Sequence, residues 1–302
     1  MASKGLLAVV VDDSAAEKEE YADKPLFLSG LKEAGRLINS TPQTAEVLRF
    51  YGTAALVSTT NSLGALPVRN FSAGVFELAD KIDAKALHDT IKARGGEGAV
   101  SHACMPGCIV RCSNVYPDVS GKTLVSPLEY ETIGLLGSNC GIGDLDAIAR
   151  LNYLCNDMGV DTIDVGAALA IAMEAGLAPF GDVSFCESTI AGIAEGQILS
   201  KLIGSGAALT GKVLGAYRIP VVKGQSMAAY DPRGVKGTGV TYATSSQGAD
   251  HTAGNTPRLP VKQHEKEGQV EHSKSAQQGA MFMDAMGLCL MFRGGVKALL
   301  SG

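Results

Sequence analysis

Apolar positions along the chain recur at helical spacing far more often than they alternate. Ala45, Val47, Leu48 and Tyr51 share one side of a helix that Thr41 caps, Pro42 enters and Gly52 stops. Asp83 caps a second helix through Ile91, ended by Gly95-Gly96. Asp144 opens a third, with Ile148, Leu151 and Cys155 on its apolar face and Gly159 at its end. Asp161 or Asp164 starts a helix of small residues through Ala175, and amphipathic helices fit Ser188–Ile203 and Ala207–Leu214. Extended structure is confined to two places. Leu6–Val11 reads as one buried strand, followed by a solvated acidic segment, Asp12 to Asp23, with some helix. Val115 to Val125 reads as a short hairpin turning at Ser120-Gly121. Thr53 to Phe71 reads as loop-rich. Ala228 to Gly254, rich in Gly, Ser and Thr, reads as a loop that lines a site. Lys262 to Gln278 reads as charged and exposed, and apolar sequence returns from Met281 to Leu300. The pattern predicts a mostly α protein with minor β.

The chain has 302 residues, 46% hydrophobic and 19% charged, enough for two globular domains. A net charge of -5 without a basic run argues against a nucleic-acid partner. Aromatic residues are scarce and glycine abundant, which suits close helix packing. No apolar run reaches membrane length, since Val165–Leu177 is short and contains Glu174. No signal peptide is read at the start. Seven cysteines, an odd number, then argue for a reducing compartment, the cytoplasm, and for metal or redox use.

Chemistry concentrates in Cys104-Met-Pro-Gly-Cys108-Ile-Val-Arg-Cys112, where three cysteines recur every fourth residue. Pro106 and Gly107 break a helix and let a loop aim several thiolates at one point. Cys289 is a distant fourth candidate, and three clustered cysteines plus one is a pattern of iron–sulfur ligation. A zinc site and plain packing remain alternatives. Cys140, Cys155 and Cys186 stand singly in apolar or helical settings and read as core. In Glu129-Tyr130-Glu131 either carboxylate could act as a general acid or base if buried, against the plainer reading of a surface acid pair. His251 sits in a Gly/Ser/Thr loop beside Asp250, which could orient it; a lone loop histidine is otherwise simply solvated. Two further segments share a grammar. Asn156-Asp-Met-Gly159-Val160-Asp161 and Asp284-Ala-Met-Gly287-Leu288-Cys289 each place a polar residue three before a glycine. An aliphatic residue and then a ligand-type side chain follow. Singly, each reads as an ordinary helix C-cap; the recurrence of the pair favours backbone turns whose Asp or Asn accepts N–H bonds from a heterocycle.

Taken in order, these residues resemble the tungsten-dependent aldehyde:ferredoxin oxidoreductase family. The resemblance also rests on Asn61–Phe71, Gly137-Ser-Asn139, Leu154-Cys-Asn156, Tyr230-Asp231-Pro232-Arg233 and Tyr242–His251. It implies helical domains 2 and 3 of that architecture: residues 1–20 as a remnant of an N-terminal β domain, 21–216 as a helical domain, and 217–302 as a partial third domain. It implies a [4Fe–4S] cluster on Cys104, Cys108, Cys112 and Cys289. It implies a tungsten (or molybdenum) bis-pterin held by Asn156, Asp161, Asp284 and Leu288, with Glu131 and His251 moving protons near the metal. The implied reaction oxidises an aldehyde to a carboxylic acid and passes the electrons through the cluster to ferredoxin or a similar acceptor. A homodimer, or a complex with the missing N-terminal part, is the implied assembly.

The sequence departs from the family in several places. Three residues separate Cys104 from Cys108 where two are commonest, Asn156 replaces an Asp, and Gln247 stands where Arg is usual. No Glu-x-x-His occurs. The chain is shorter than family members, which suggests a fragment. The competing expectation is therefore a non-catalytic iron–sulfur electron-transfer or assembly protein lacking tungsten, and behind it a zinc-stabilised helical scaffold.

Overall fold

The computed structural model describes residues 5–6, 8–17, 20–258, 262–293 and 295–296. Regular structure begins where Asp23 accepts the N–H of Leu26 at 2.9 Å, capping helix α1 (Lys24–Ser40) with a proline in its first turn. Ala34 and Ile38 are its buried face. Thr41 serves both helices: its hydroxyl donates back to Leu37 O at 2.8 Å, while its carbonyl accepts the N–H groups of Thr44 and Ala45 at 2.9 Å each and opens the next stretch at Pro42, as the pattern predicts. The chain continues through a π-helical turn, Gln43–Leu48, and Arg49–Tyr51, and stops at Gly52 as expected. There φ is 58°, and an added Cβ would lie 2.7 Å from Cys112 O, so only glycine fits.

Thr53–Ala55 and α2 (Leu56–Ser62) replace the expected loop over the first part of Thr53 to Phe71. The remainder makes a left-handed turn, with φ of 45°, 55° and 55° at Arg69, Asn70 and Phe71. Asn139 holds that turn, accepting from Asn70 N and Phe71 N at 3.0 Å each. Asp83 caps α3 (Ala84–Arg94) as the pattern predicts. Strands β1 (Ala99–His102), β2 (Ser113–Pro117) and β3 (Thr123–Val125) form one antiparallel sheet in chain order. The predicted hairpin is β2–β3, with Gly121 at φ 82° in its turn; β1 was not legible.

Asp144 caps α4 (Leu145–Met158), and Asp161, not Asp164, caps α5 (Thr162–Glu174). Every residue of α5 from Val165 to Met173 is buried, the mark of a central helix. The π-helical turn Ile133–Gly137, α4 and α8 (Ala207–Leu214) pack around it. The expected helix Ser188–Ile203 is two, α6 (Val183–Glu195) and α7 (Ile198–Gly204), because Gly196 turns left-handed between them. A two-stranded ribbon, β4 (Val221–Val222) and β5 (Gln225–Ser226), follows α8.

Three further expectations fail. The stretch from Ala228 to Gly254 contains α9 (Lys236–Thr244), and the polar segment from Lys262 contains most of α10 (Gln269–Ala285). These helices face each other through hydroxyls and amides, with Thr241 Oγ1 2.7 Å from Ser273 Oγ, so their contact leaves no apolar periodicity. Of the expected buried strand Leu6–Val11, Leu7 lies outside the described residues, and the others are exposed, Val10 by 89%, with no strand among the described residues paired to them. A single strand leaves its backbone groups to water. The apolar return from Met281 is the end of α10 and a 3₁₀ turn, Leu290–Phe292; its last residues, 297–300, lie outside the described residues. The architecture is mostly α with a few short strands, as expected. Among the described residues no helix is long and apolar enough to cross a membrane.

Candidate functional site

The cysteine loop connects β1 to β2, with Cys112 immediately before β2. Gly107, at φ 78°, and Arg111, at φ 53°, bend it. Arg111 Nη2 donates to Ser101 O at 2.9 Å, and Arg49 Nη2 donates to Ile109 O at 3.0 Å, pinning the loop on both sides. Cys108 and Cys112 pack against Ile38, Leu48 and Val110, where Met291 and Phe292 also arrive. That contact brings the segment after Cys289 to the loop. Burial first, then the charge of Glu129 and the neighbouring thiols of Cys289, Cys108 and Cys104, push the Cys112 thiol up to about 12. The four cysteines are thus electrostatic neighbours. Among the described residues no three Cys, His, Asp or Glu side chains converge to hold a metal ion. A group bound by all four thiols would have to draw them together. Cys140, Cys155 and Cys186 are fully buried, as the sequence indicates.

Glu131 and His251 meet. Glu131 lies in the short helical turn Tyr130–Thr132, and its Oε2 accepts the Ala229 N–H at 2.7 Å. Its Oε1 is 3.2 Å from His251 Nε2, an approach too poorly aligned for a hydrogen bond, and this buried oxygen has no other partner. Burial pulls the imidazole pKa down, but the charge and contact of Glu131 outweigh it, with Asp250 and Asp161 adding to the rise. The imidazole keeps 45% of its surface open, so solvent tempers both effects. Asp250 does not orient the ring by hydrogen bond: its carboxylate accepts the Thr252 N–H and hydroxyl at 2.8 Å each.

Three buried tyrosines surround Glu131, and sequence reasoning did not single them out. Tyr130 and Tyr230 stack at 5.3 Å, and Tyr130 OH donates to the Ala229 carbonyl. Burial, then Glu131, raise the pKa of Tyr130, Tyr230 and Tyr242 well above the ordinary phenol value. The Ala229 peptide is therefore gripped on both sides, its N–H by Glu131 and its carbonyl by Tyr130. Glu129 is coupled to both groups, since its charge acts on the Cys112 thiol and the His251 charge acts on it. It accepts from the Thr53 hydroxyl and is raised by burial, against the hydroxyls of Thr53 and Ser113 and the charges of Arg258 and His251. Its adjacency to Glu131 in sequence was the available signal.

The two segments of shared grammar have one geometry. Gly159 N–H bonds Asn156 O at 3.2 Å and Val160 N–H bonds Cys155 O at 3.0 Å; Gly287 N–H bonds Asp284 O at 3.0 Å and Leu288 N–H bonds Met283 O at 2.9 Å. Both are Schellman C-caps with glycine left-handed, at φ 66° and 64°. In each, the next residue caps a following helical turn: Asp161 caps α5, and Cys289 precedes Leu290–Phe292. The plainer reading as helix C-caps is therefore correct as to conformation. Asn156, Asp161 and Asp284 are exposed, Leu288 half-buried. Asp161 lies within the field of the Glu131–His251 pair: although water reaches its carboxylate, the protein packed around it is the largest influence and raises its pKa, the Asp164 N–H lowers it, the Asp164 carboxylate raises it, His251 lowers it and Glu131 raises it. Among the described residues no hydrogen bond or ion pair links Asp284 or Leu288 to Asn156 or Asp161.

Comparison with known proteins gives these positions a family context. Residues 29–300 match the model for aldehyde ferredoxin oxidoreductase, domains 2 & 3. A tungsten-containing aldehyde ferredoxin oxidoreductase of Pyrococcus abyssi is 32% identical over 99% of this chain and 52% of its own length. One from Thermococcus kodakarensis is 32% identical over 99% of this chain and 51% of its own length. A protein of Pyrococcus furiosus named aliphatic sulfonate oxidoreductase, WOR-like subunit, is 30% identical over 52% of this chain and 28% of its own length. The chain spans about half the length of the aldehyde ferredoxin oxidoreductases it matches.

Proposed function

The chain belongs to the aldehyde ferredoxin oxidoreductase family, and from that premise we propose that it carries the cluster and half of the pterin pocket of an enzyme oxidising aldehydes to carboxylic acids. In this reading Cys104, Cys108, Cys112 and Cys289 ligate a [4Fe–4S] cluster. Asn156, Asp161, Asp284 and Leu288 hold the pterins of a tungsten cofactor, and ferredoxin in the cytoplasm takes the electrons. The observation that supports it most is geometric: Met291 and Phe292, just after Cys289, pack with Cys108 and Cys112 on one apolar cluster, and Glu131 and His251, far apart in the chain, meet at 3.2 Å.

The donor set fits the groups. Thiols are the usual ligands of iron–sulfur clusters. The carboxylates of Asp161 and Asp284 and the Asn156 amide can accept N–H bonds from a heterocycle. Glu131 Oε1 is buried without a hydrogen bond, a state that an incoming donor would relieve. A tungsten bis-pterin, when bound, supplies oxygen transfer to the aldehyde carbon and takes up two electrons. The chain's own contribution is proton handling and position. The Ala229 N–H fixes Glu131 Oε2, leaving Oε1 to exchange a proton with His251 Nε2. His251, open to solvent on its other side, can pass that proton outward.

Anaerobic metal and sulfide analysis of the purified chain, with EPR after dithionite reduction, tests the reading. About four irons per chain and a reduced-cluster signal support the cysteine assignment, and co-purifying tungsten supports the pterin pocket. Iron without tungsten would instead mark an electron-transfer or assembly protein, and zinc alone would sink both.

A further inference from the structure

We propose that the groove beside the cysteine loop is the docking face for a small acidic iron–sulfur carrier of the ferredoxin class. This rests on the assignment of the four cysteines as cluster ligands. Asn39, Arg49, Ser101, Gly107, Cys108 and Arg111 line the groove, and among the described residues lining it there is no carboxylate. Both guanidiniums are spent on neutral oxygens: Arg49 on Asn39 Oδ1 and Ile109 O, Arg111 on Ser101 O. Their charges are left uncompensated by any ion pair among the described residues. Beside them Met105 is 60% exposed and Ile109 37% exposed. An apolar spot edged by like charges, next to a thiol that lines the groove, is the make-up of a weak redox encounter surface.

The overall charge sharpens the argument. The chain carries a net charge of -5, so an acidic carrier is repelled by most of its surface. Two unpaired arginines on such a molecule orient the encounter, concentrating approach at the loop that holds Cys104, Cys108 and Cys112. Electron transfer falls steeply with distance, and a carrier seated here lies against Cys108, one of the thiols that would hold the cluster. The step itself moves one electron from the reduced cluster to one oxidised carrier, with no bond formed or broken. Two carriers are reduced for each aldehyde oxidised.

The test measures the affinity of the full chain, reconstituted anaerobically, for an acidic bacterial [4Fe–4S] ferredoxin by titration calorimetry at low and high salt. Arg111→Gln and Arg49→Gln should each weaken binding about threefold to tenfold at low salt and flatten its salt dependence. Arg111→Lys, which keeps the charge and loses the fork to Ser101, should bind like the parent. Lys212→Gln, the same charge change on α8, should also leave affinity unaltered. Iron content and circular dichroism of each variant show whether the loop survived. Binding that ignores both arginines, or equal weakening by Lys212→Gln, or no binding at all by a cluster-containing chain, overturns the docking face. A parent chain that takes up no cluster refutes the ligand assignment instead, and is seen separately in its iron content.

Discussion

His251 Nε2 lies 3.2 Å from Glu131 Oε1, joining a loop near the C-terminal part of the chain to a turn that follows the sheet. Glu131 is buried and anchored by a backbone N–H, whereas His251 is half open to solvent. The carboxylate therefore sets the histidine's protonation. Burial alone would lower the imidazole pKa; Glu131 reverses the direction. Glu131→Gln should drop the His251 pKa below its parent value, read from imidazole proton shifts across pH 5–9. The linkage sign follows. A histidine raised in the folded state adds stability that is fully present below its unfolded pKa, about 6.5. That contribution is lost as pH rises through the folded value. The parent should lose stability over that window and Glu131→Gln should not. An unchanged histidine titration in the variant would show that Glu131 does not control it.

The cysteines divide into two sets, and the division is testable by iron content. Cys108→Ser and Cys289→Ser should each remove the cluster, although Cys289 sits on the far side of α10 in sequence. Cys155→Ala should keep the full iron complement, because Cys155 is sealed inside the core and its neighbours are Asp161 and Cys186 rather than the loop thiols. Loss of iron in Cys155→Ala with normal folding, or retention in Cys289→Ser, would break the quartet.

What the sequence made legible follows from how each element is held. Helices α3, α4 and α5 are announced by an aspartate cap and an apolar face, and both are local signals. The cysteine loop was legible because three thiols lie close together in the chain, with Cys289 as the distant fourth candidate. Helices α9 and α10 were not legible because Thr238, Thr241 and Ser273 are buried through mutual hydroxyl contacts, which polarity disguises as exposure. Thr41 was legible as the start of the next helical stretch, although its hydroxyl goes back to Leu37 O and its carbonyl alone takes the new turn's N–H groups. Leu6–Val11 has the apolar content of a buried strand, but burial needs a neighbour, and a local pattern cannot say whether one exists. Tyr130 and Tyr230 escaped notice because their role depends on stacking across the fold.

Gly166 lies in the most buried helix and meets Leu135, where an added Cβ would be 2.7 Å from the carbonyl carbon. The neighbouring atom is backbone in a packed π-helical turn, so it cannot rotate away. Gly166→Ala gains helix propensity of about 1 kcal/mol but forces overpacking that costs about 1–3 kcal/mol. The clash should win, and urea denaturation should show a lower midpoint with an unchanged slope. A midpoint at or above that of the parent would mean that the helix can shift away from the turn.

Asp161 is both a helix cap and a candidate pterin ligand, and two substitutions separate the roles. Its Oδ2 accepts the Asp164 N–H at 2.9 Å. Asp161→Ala should lose that cap at a cost of about 0.5–2 kcal/mol, whereas Asp161→Asn keeps an acceptor and should cost little. The pH dependence adds a sign. Burial, the largest cause, raises the carboxyl pKa above its ordinary value despite the capping bond. An acid raised in the folded state withdraws stability as pH rises through its unfolded pKa, about 3.9, up to the folded value. Relative to the parent, Asp161→Asn should therefore look better at neutral pH than at pH 3, although solvent access to Asp161 keeps the difference small. Cofactor retention should behave differently. A carboxylate offers two acceptor oxygens to a heterocycle and the amide one, so both variants should retain less tungsten and pterin than the parent. If Asp161→Asn retains the cofactor fully while Asp161→Ala loses it together with helix stability, Asp161 acts through the cap alone and the ligand role falls.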